Sequence, residues 1–120
     1  MLQASNAIEL LNKIELESLY SKVILQLNKD FQLANLNESL DDKILPVELI
    51  ETLSAMLLKL ISNSYDDYLN FLYRVDVSEK ELLKIQGKEL PAIINQVTFV
   101  VLKRECQKVW LKKNFENLNA

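Results

Sequence analysis

Leu16, Leu19, Tyr20, Val23, Leu27 and Phe31 follow one another at intervals of three and four residues. Such intervals line side chains along one face of an α-helix. Upstream, Asn6 and Glu9 have the form of a capping box, in which the Asn side chain accepts an orphan amide and the Glu reaches back. Together these features predict a first long helix over roughly 6–33, its turns before Leu16 prone to fray. Residues 35–42 are polar, hold no stripe and read as a loop.

Pro46 suits the first turn of a helix, where a missing N–H costs nothing. Ile50, Leu53, Leu57, Leu60 and Ile61 continue it as a wide apolar face, predicting a second helix near 46–62. Ser64 caps a third over 65–75, with Asp66 and Asp67 at the positive end of its dipole. Its stripe is Tyr65, Tyr68, Leu69, Leu72 and Tyr73. Val75 and Val77 are β-branched, but no hairpin turn or second strand lies nearby, so they read as the joint between two helices. Ser78, with Glu81 three residues on, opens a short fourth helix over 79–86. Gly87 falls where a left-handed residue would close it. Pro91 opens a last helix over 91–116, apolar nearly all round from Ile93 to Leu102, as in a helix surrounded by others. Beyond Lys103 it turns amphipathic, with Cys106, Val109 and Trp110 on one side. No repeat or linker interrupts the pattern. The expected fold is all-α: one domain over 1–120, a compact bundle of about five helices.

Composition strengthens the helical reading. The chain of 120 residues has one glycine and two prolines, and no Asn-Gly or Asp-Gly pair to turn a hairpin. Leu, Lys, Glu and Gln, all good helix formers, are abundant. A single cysteine rules out an intramolecular disulfide and multi-cysteine zinc motifs. The opening MLQASNAIELLNKIE has neither a basic start nor an unbroken apolar run, so no secretory leader is expected. Apolar runs such as 99–102 are far too short for a bilayer, and the expected setting is the cytoplasm, away from membranes.

Histidine is absent, which removes His-based acid–base catalysis, catalytic triads, HExxH zinc sites and the Glu-x-x-His motif of di-iron bundles. One glycine cannot build a P-loop or a Rossmann phosphate turn. Cys106 is the lone thiol, but its place on a stripe with Leu102 and Val109 reads as a small buried hydrophobe. Glu48, Glu51, Asp66 and Asp67 offer oxygen ligands suited to Mg²⁺. They loosely resemble the ExxE and ExxD pairs of the all-α nucleotide pyrophosphohydrolases, although Asn70 stands where the second acid would follow Asp67. The simpler reading is that these acids complement helix dipoles. No catalytic residue and no cofactor is therefore expected, and a Mg²⁺-dependent hydrolase is the alternative.

Charge is distributed unevenly. Over 103–116, Lys103, Arg104, Lys108, Lys112 and Lys113 face Glu105 and Glu116, giving 5 − 2 = +3, and the net −3 of the chain leaves −6 elsewhere. A basic helix bearing Trp110 suits phosphates or an acidic partner. The acidic balance of the whole disfavours nucleic acid, leaving a weak nucleic-acid binder as a further alternative.

Two stretches, DDYLNFLYRVDVSEKEL and FVVLKRECQKVWLKKNF, resemble a group of small, functionally uncharacterised single-domain proteins from Bacteroidetes. That group pairs a helix ending in YLxxLYxxDVxE with a terminal helix like LKREWQKVW. The likeness spans roughly residues 15–115; it implies a shared helical fold and brings no activity with it. Cys106 stands where the group carries an aromatic residue, which speaks further against a reactive thiol.

Without catalytic groups, the ample Leu and aromatic content favours a small non-enzymatic interaction module, with a homodimer as its simplest form. Trp110, Lys112, Lys113 and Phe115 are the expected contact surface, for an unidentified protein partner or a second copy. Arg74, Asp76, Ser78, Glu81 and Arg104 are assigned to the helix joint, where Asp76 is expected to bond the backbone or pair with Arg74 or Arg104.

Overall fold

In the computed structural model, which describes residues 3–119 and side chains for 3–116, six helices follow one another. They are α1 (Ala7–Leu16), α2 (Tyr20–Leu33), α3 (Pro46–Asn63), α4 (Tyr65–Val75), α5 (Glu79–Leu83) and α6 (Leu90–Asn119). No strand occurs among the described residues, and one buried apolar cluster joins the helices into a single all-α domain.

α6 organises the bundle. It packs against each of the other five helices, and its 30 residues, at about 1.5 Å each, match the 45 Å long dimension of the molecule. Ile94, Val97, Val101, Leu102, Cys106 and Val109 line its buried side, as helical periodicity requires. A near-continuous apolar sequence from Ile93 to Leu102 is what a helix ringed by neighbours requires.

The expected first helix is two. Leu16, expected in the stripe, is 85% exposed, while Leu10, Leu11 and Ile14 fill the core from α1. At the break Ser18 adopts a left-handed φ of 59°. Its N–H bonds the Glu15 carbonyl (2.9 Å), and the Leu19 N–H bonds the Ile14 carbonyl (3.1 Å). This is a Schellman closure, in which the chain's last carbonyls find donors and an apolar residue past the end packs back on the helix. It turns the chain so that the buried stripes of α1 and α2, which no single straight helix could both point inward, face one core.

The same closure recurs twice. Asn35 (φ 58°) ends α2, with the Leu36 N–H on the Phe31 carbonyl (2.9 Å). Asp76 (φ 70°) ends α4, with the Val77 N–H on the Leu72 carbonyl (3.2 Å). None of the three is glycine. Gly87 does adopt a positive φ of 117°, but α5 stops at Leu83, so it shapes the approach to α6 and does not close a helix.

The fourth helix is shorter than the expected 79–86, the last runs slightly beyond 91–116, and one inner face shifts. α3 and α4 begin as predicted, although the Ser64 hydroxyl makes no capping bond. Ser78 does cap α5, accepting the Glu81 N–H at 3.2 Å. On α4 the stripe is rotated: Phe71 and Val75 are fully buried with Tyr68 and Leu72, whereas Tyr65, Leu69 and Tyr73 are exposed. Aromatic rings alternate around this short helix, and packing of Phe71 on Phe31, centroids 5.2 Å apart, selects the inner face.

Two side-chain amides fasten the long connections. Asn28 donates to the Leu40 carbonyl (3.0 Å) and accepts the Leu40 N–H (2.8 Å), holding the α2–α3 loop across α2 with Leu40 buried. Gln96 does the same on Gln86 for the α5–α6 loop, accepting its N–H at 3.0 Å and donating to its carbonyl. Each amide supplies one donor and one acceptor and so satisfies both backbone groups of one loop residue.

Candidate functional site

Two charged residues sit in the core-facing stripes of α2 and α6. Counting from Leu27 by three or four reaches Asp30 as well as Phe31; counting from Leu102 reaches Glu105 as well as Cys106. Asp30 is 2% exposed and Glu105 fully buried. Lys108, one turn past Glu105, reaches between them, its Nζ 2.8 Å from Asp30 Oδ2 and 2.6 Å from Glu105 Oε1. The Asp30 contact is a well-formed hydrogen bond. The closer contact to Glu105 is out of line for one, so both Glu105 oxygens lie buried without a directed donor.

Burial, and next the adjacent Asp30 carboxylate, push the Glu105 carboxyl up to about 9 against the opposing pull of Lys108. At neutral pH Glu105 therefore keeps its proton between Asp30 and Lys108. Cys106 beside it is fully buried, and burial followed by the Glu105 charge pushes its thiol up to about 12. Thiol and acid are both enclosed in the core, and the cluster joins α2 to α6. Its signal lay in the stripe phase, which the charge count overlooked by treating Glu105 as a solvated counter-charge.

Beside the cluster, α2 and α6 run antiparallel, as Lys108–Asp30 and Lys113–Glu17 contacts at opposite ends of α2 require. Between them lies a groove of about 300 Å³. Lys22, Leu25 and Lys29 form one wall and Lys112, Lys113 and Glu116 the other, with Val109 and Gln26 also lining it. Each wall repeats at one-turn spacing, as adjoining helix faces do. Gln26 ties the groove to the cluster, donating to Asp30 Oδ1 at 3.3 Å. Lys113 is held at the α1–α2 break, bonding the Glu17 carbonyl (3.1 Å) with its carboxylate 3.9 Å away. Lys22, Lys29 and Lys112 have no ion-pair partner among the described residues. On the outer side of α6, Lys112 is shared with an apolar hollow of about 430 Å³ lined by Leu111 and Phe115.

Of the expected contact residues, Lys112 and Lys113 line the groove and Phe115 the adjoining hollow; Trp110 is half-buried against the core. Lys22, Leu25 and Lys29 join them from α2, a juxtaposition that only the antiparallel packing creates.

The helix joint is assembled as a clamp. Arg104 Nε donates to the Asp76 carbonyl (3.1 Å) and its terminal nitrogen to Asp76 Oδ2 (2.9 Å). Glu81 lies 3.7 Å from Lys103 and 4.0 Å from Lys84. Arg74 stands outside the clamp, its guanidinium 5.9 Å from the Tyr73 ring centre.

The four acids of the alternative metal site are not brought together. Glu48 and Glu51 lie in the first turns of α3, Asp66 and Asp67 just past its far end, roughly 20 Å away at about 1.5 Å per residue. All four are exposed, and no group of three or more metal-ligating side chains occurs among the described residues. Among those residues no helix is long and apolar enough to cross a membrane. Comparison with protein-family models, curated proteins and solved structures finds no match for the chain.

Proposed function

We propose that the chain is a non-enzymatic interaction module that engages a protein through the face formed by α2 and the C-terminal half of α6. One observation carries this reading: Leu25, 62% exposed, lies beside Lys22, Lys29 and Lys112, which have no acidic partner among the described residues, and Leu111 and Phe115, 54% and 67% exposed, line the adjoining hollow with Lys112. Exposed apolar side chains rimmed by charge are the usual composition of a contact surface. The chain has no histidine, and Cys106 and Glu105 are enclosed in the core. A reducing cytoplasm is the proposed setting, which suits an unpaired thiol.

Photo-crosslinking tests the face directly. A benzoylphenylalanine at position 25 or 111, in extract of the source cells, gives discrete protein adducts, while the same probe at Leu83 on α5 gives none. Equal or absent adducts at all three positions would end the reading. Light scattering on the purified chain then separates a foreign partner from a second copy.

A further inference from the structure

We infer that the α2–α6 groove receives an acidic amphipathic helix of a partner protein. This rests on the interaction-module reading and adds the chemistry of what docks. Two antiparallel helices in contact leave between them a furrow that matches the ridge of a third helix. The walls, Lys22 to Lys29 and Lys112 to Glu116, span one to two turns each, so the occupant contributes a short helical segment.

The lining sets its sequence. Leu25 is exposed at the groove, and Val109, nearly buried, forms part of its base. Lysine stems add aliphatic surface while their ammonium groups stay at the rim. An occupant therefore presents an apolar stripe at three- and four-residue spacing, as helix-in-groove ligands do. The rim sets its charge: Lys22, Lys29, Lys112 and Lys113 less Glu116 give 4 − 1 = +3, in a molecule whose remaining residues carry −3 − 3 = −6. Glutamates flanking the stripe meet the three lysines that are unpaired among the described residues, and a basic helix is repelled both at the rim and by their crowding.

Nucleic acid fits less well. The chain has two arginines, the side chains best matched to phosphate, and Arg104 is spent on Asp76 while Arg74 sits over Tyr73. The groove has no aromatic platform for bases, and the acidic remainder of the molecule repels a long polyanion.

The test uses the full chain, ¹⁵N-labelled, and a synthetic peptide of three to four helical turns with Leu on one face and Glu flanking it. Three controls accompany it: a scramble of the same composition, a version with Lys for Glu, and a single-stranded oligonucleotide. The peptide is expected to shift amides of residues 22–29 and 109–116 and to bind at least tenfold tighter than every control. Lys22→Glu with Lys112→Glu, both exposed, should weaken it at least tenfold and transfer preference to the Lys version.

Equal binding of the scramble, or tighter binding of the oligonucleotide, would show that the groove reads negative charge alone and would overturn the inference. So would concentration-dependent shifts in the same residues without peptide, which give the groove to a second copy. Absence of binding while Leu25 and Leu111 still crosslink to a partner overturns the helical occupant and leaves the interaction module standing.

Discussion

Glu105 keeps its proton at neutral pH because no water reaches it and a carboxylate stands beside it. Below about pH 4.5 the folded and unfolded chains both hold that proton; between about 4.5 and 9 only the folded chain does. Unfolding then releases a proton, so Glu105 lowers stability progressively as pH rises through this window. Chemical denaturation across that range should show the decline. Glu105→Gln, which keeps the shape and offers an amide to Asp30, should flatten it and leave the protein more stable at pH 8 by about 1 kcal/mol or more. Asp30→Asn removes the neighbouring carboxylate that adds to burial in raising Glu105, so the Glu105 carboxyl should titrate lower. Cys106 should resist alkylation at pH 8 until the chain is unfolded.

Asp76 is a second case in which backbone and side chain can be separated. Its side chain is 75% exposed, so the Arg104 ion pair is worth little in water. Its left-handed backbone costs an ordinary residue about 1–2 kcal/mol, and Arg104 also holds its carbonyl whatever the side chain. Asp76→Ala should therefore lower stability by about 1 kcal/mol, while Asp76→Gly stays near the parent. Equal losses for Ala and Gly in urea titrations would assign the role to the carboxylate.

At the scale of elements, helix ends and loop fasteners decide how the stripes meet. Ser18, a poor left-handed residue, closes α1, and Ser18→Gly should raise stability by about 0.5–1 kcal/mol because the strain exceeds the entropy of the added glycine. Asn28→Ala strands both backbone groups of buried Leu40 and should cost about 2 kcal/mol, with early amide exchange in the α2–α3 loop.

These same elements mark what the sequence reveals. Pro46, Ser78 and the apolar run from Ile93 to Leu102 announce their helices because each acts through its immediate neighbours. The break at Ser18 was hidden, since the spacing of Leu16, Leu19 and Tyr20 suits a continuous helix and serine gives no stop signal. α4 was misoriented because Tyr, Leu and Phe surround it and only contact with Phe31 chooses the inner face. The groove was half legible: Lys112 and Lys113 stand out in a basic segment, but Lys22, Leu25 and Lys29 gain meaning only when α2 lies antiparallel to α6.

For the whole molecule, charge and packing are divided between separate surfaces. Lys22→Glu with Lys112→Glu changes the net charge from −3 to −7, yet both side chains are exposed and unpaired among the described residues, so melting should move little while binding of the acidic peptide is lost. A large drop in melting temperature would mean that the groove lysines serve the fold.

The central place of α6 has a further consequence for how the protein is made. A ribosome produces α1 to α5 before the helix against which all five pack. Until α6 emerges, the core lacks the one helix that touches all the others, and contacts between α1 and α6 must close across most of the chain. Nascent chains should accordingly be held by chaperones and stay protease-sensitive past Pro91, then fold in one late step. Arrest-peptide force profiles should show a single pulling event, as Val109 clears the exit tunnel.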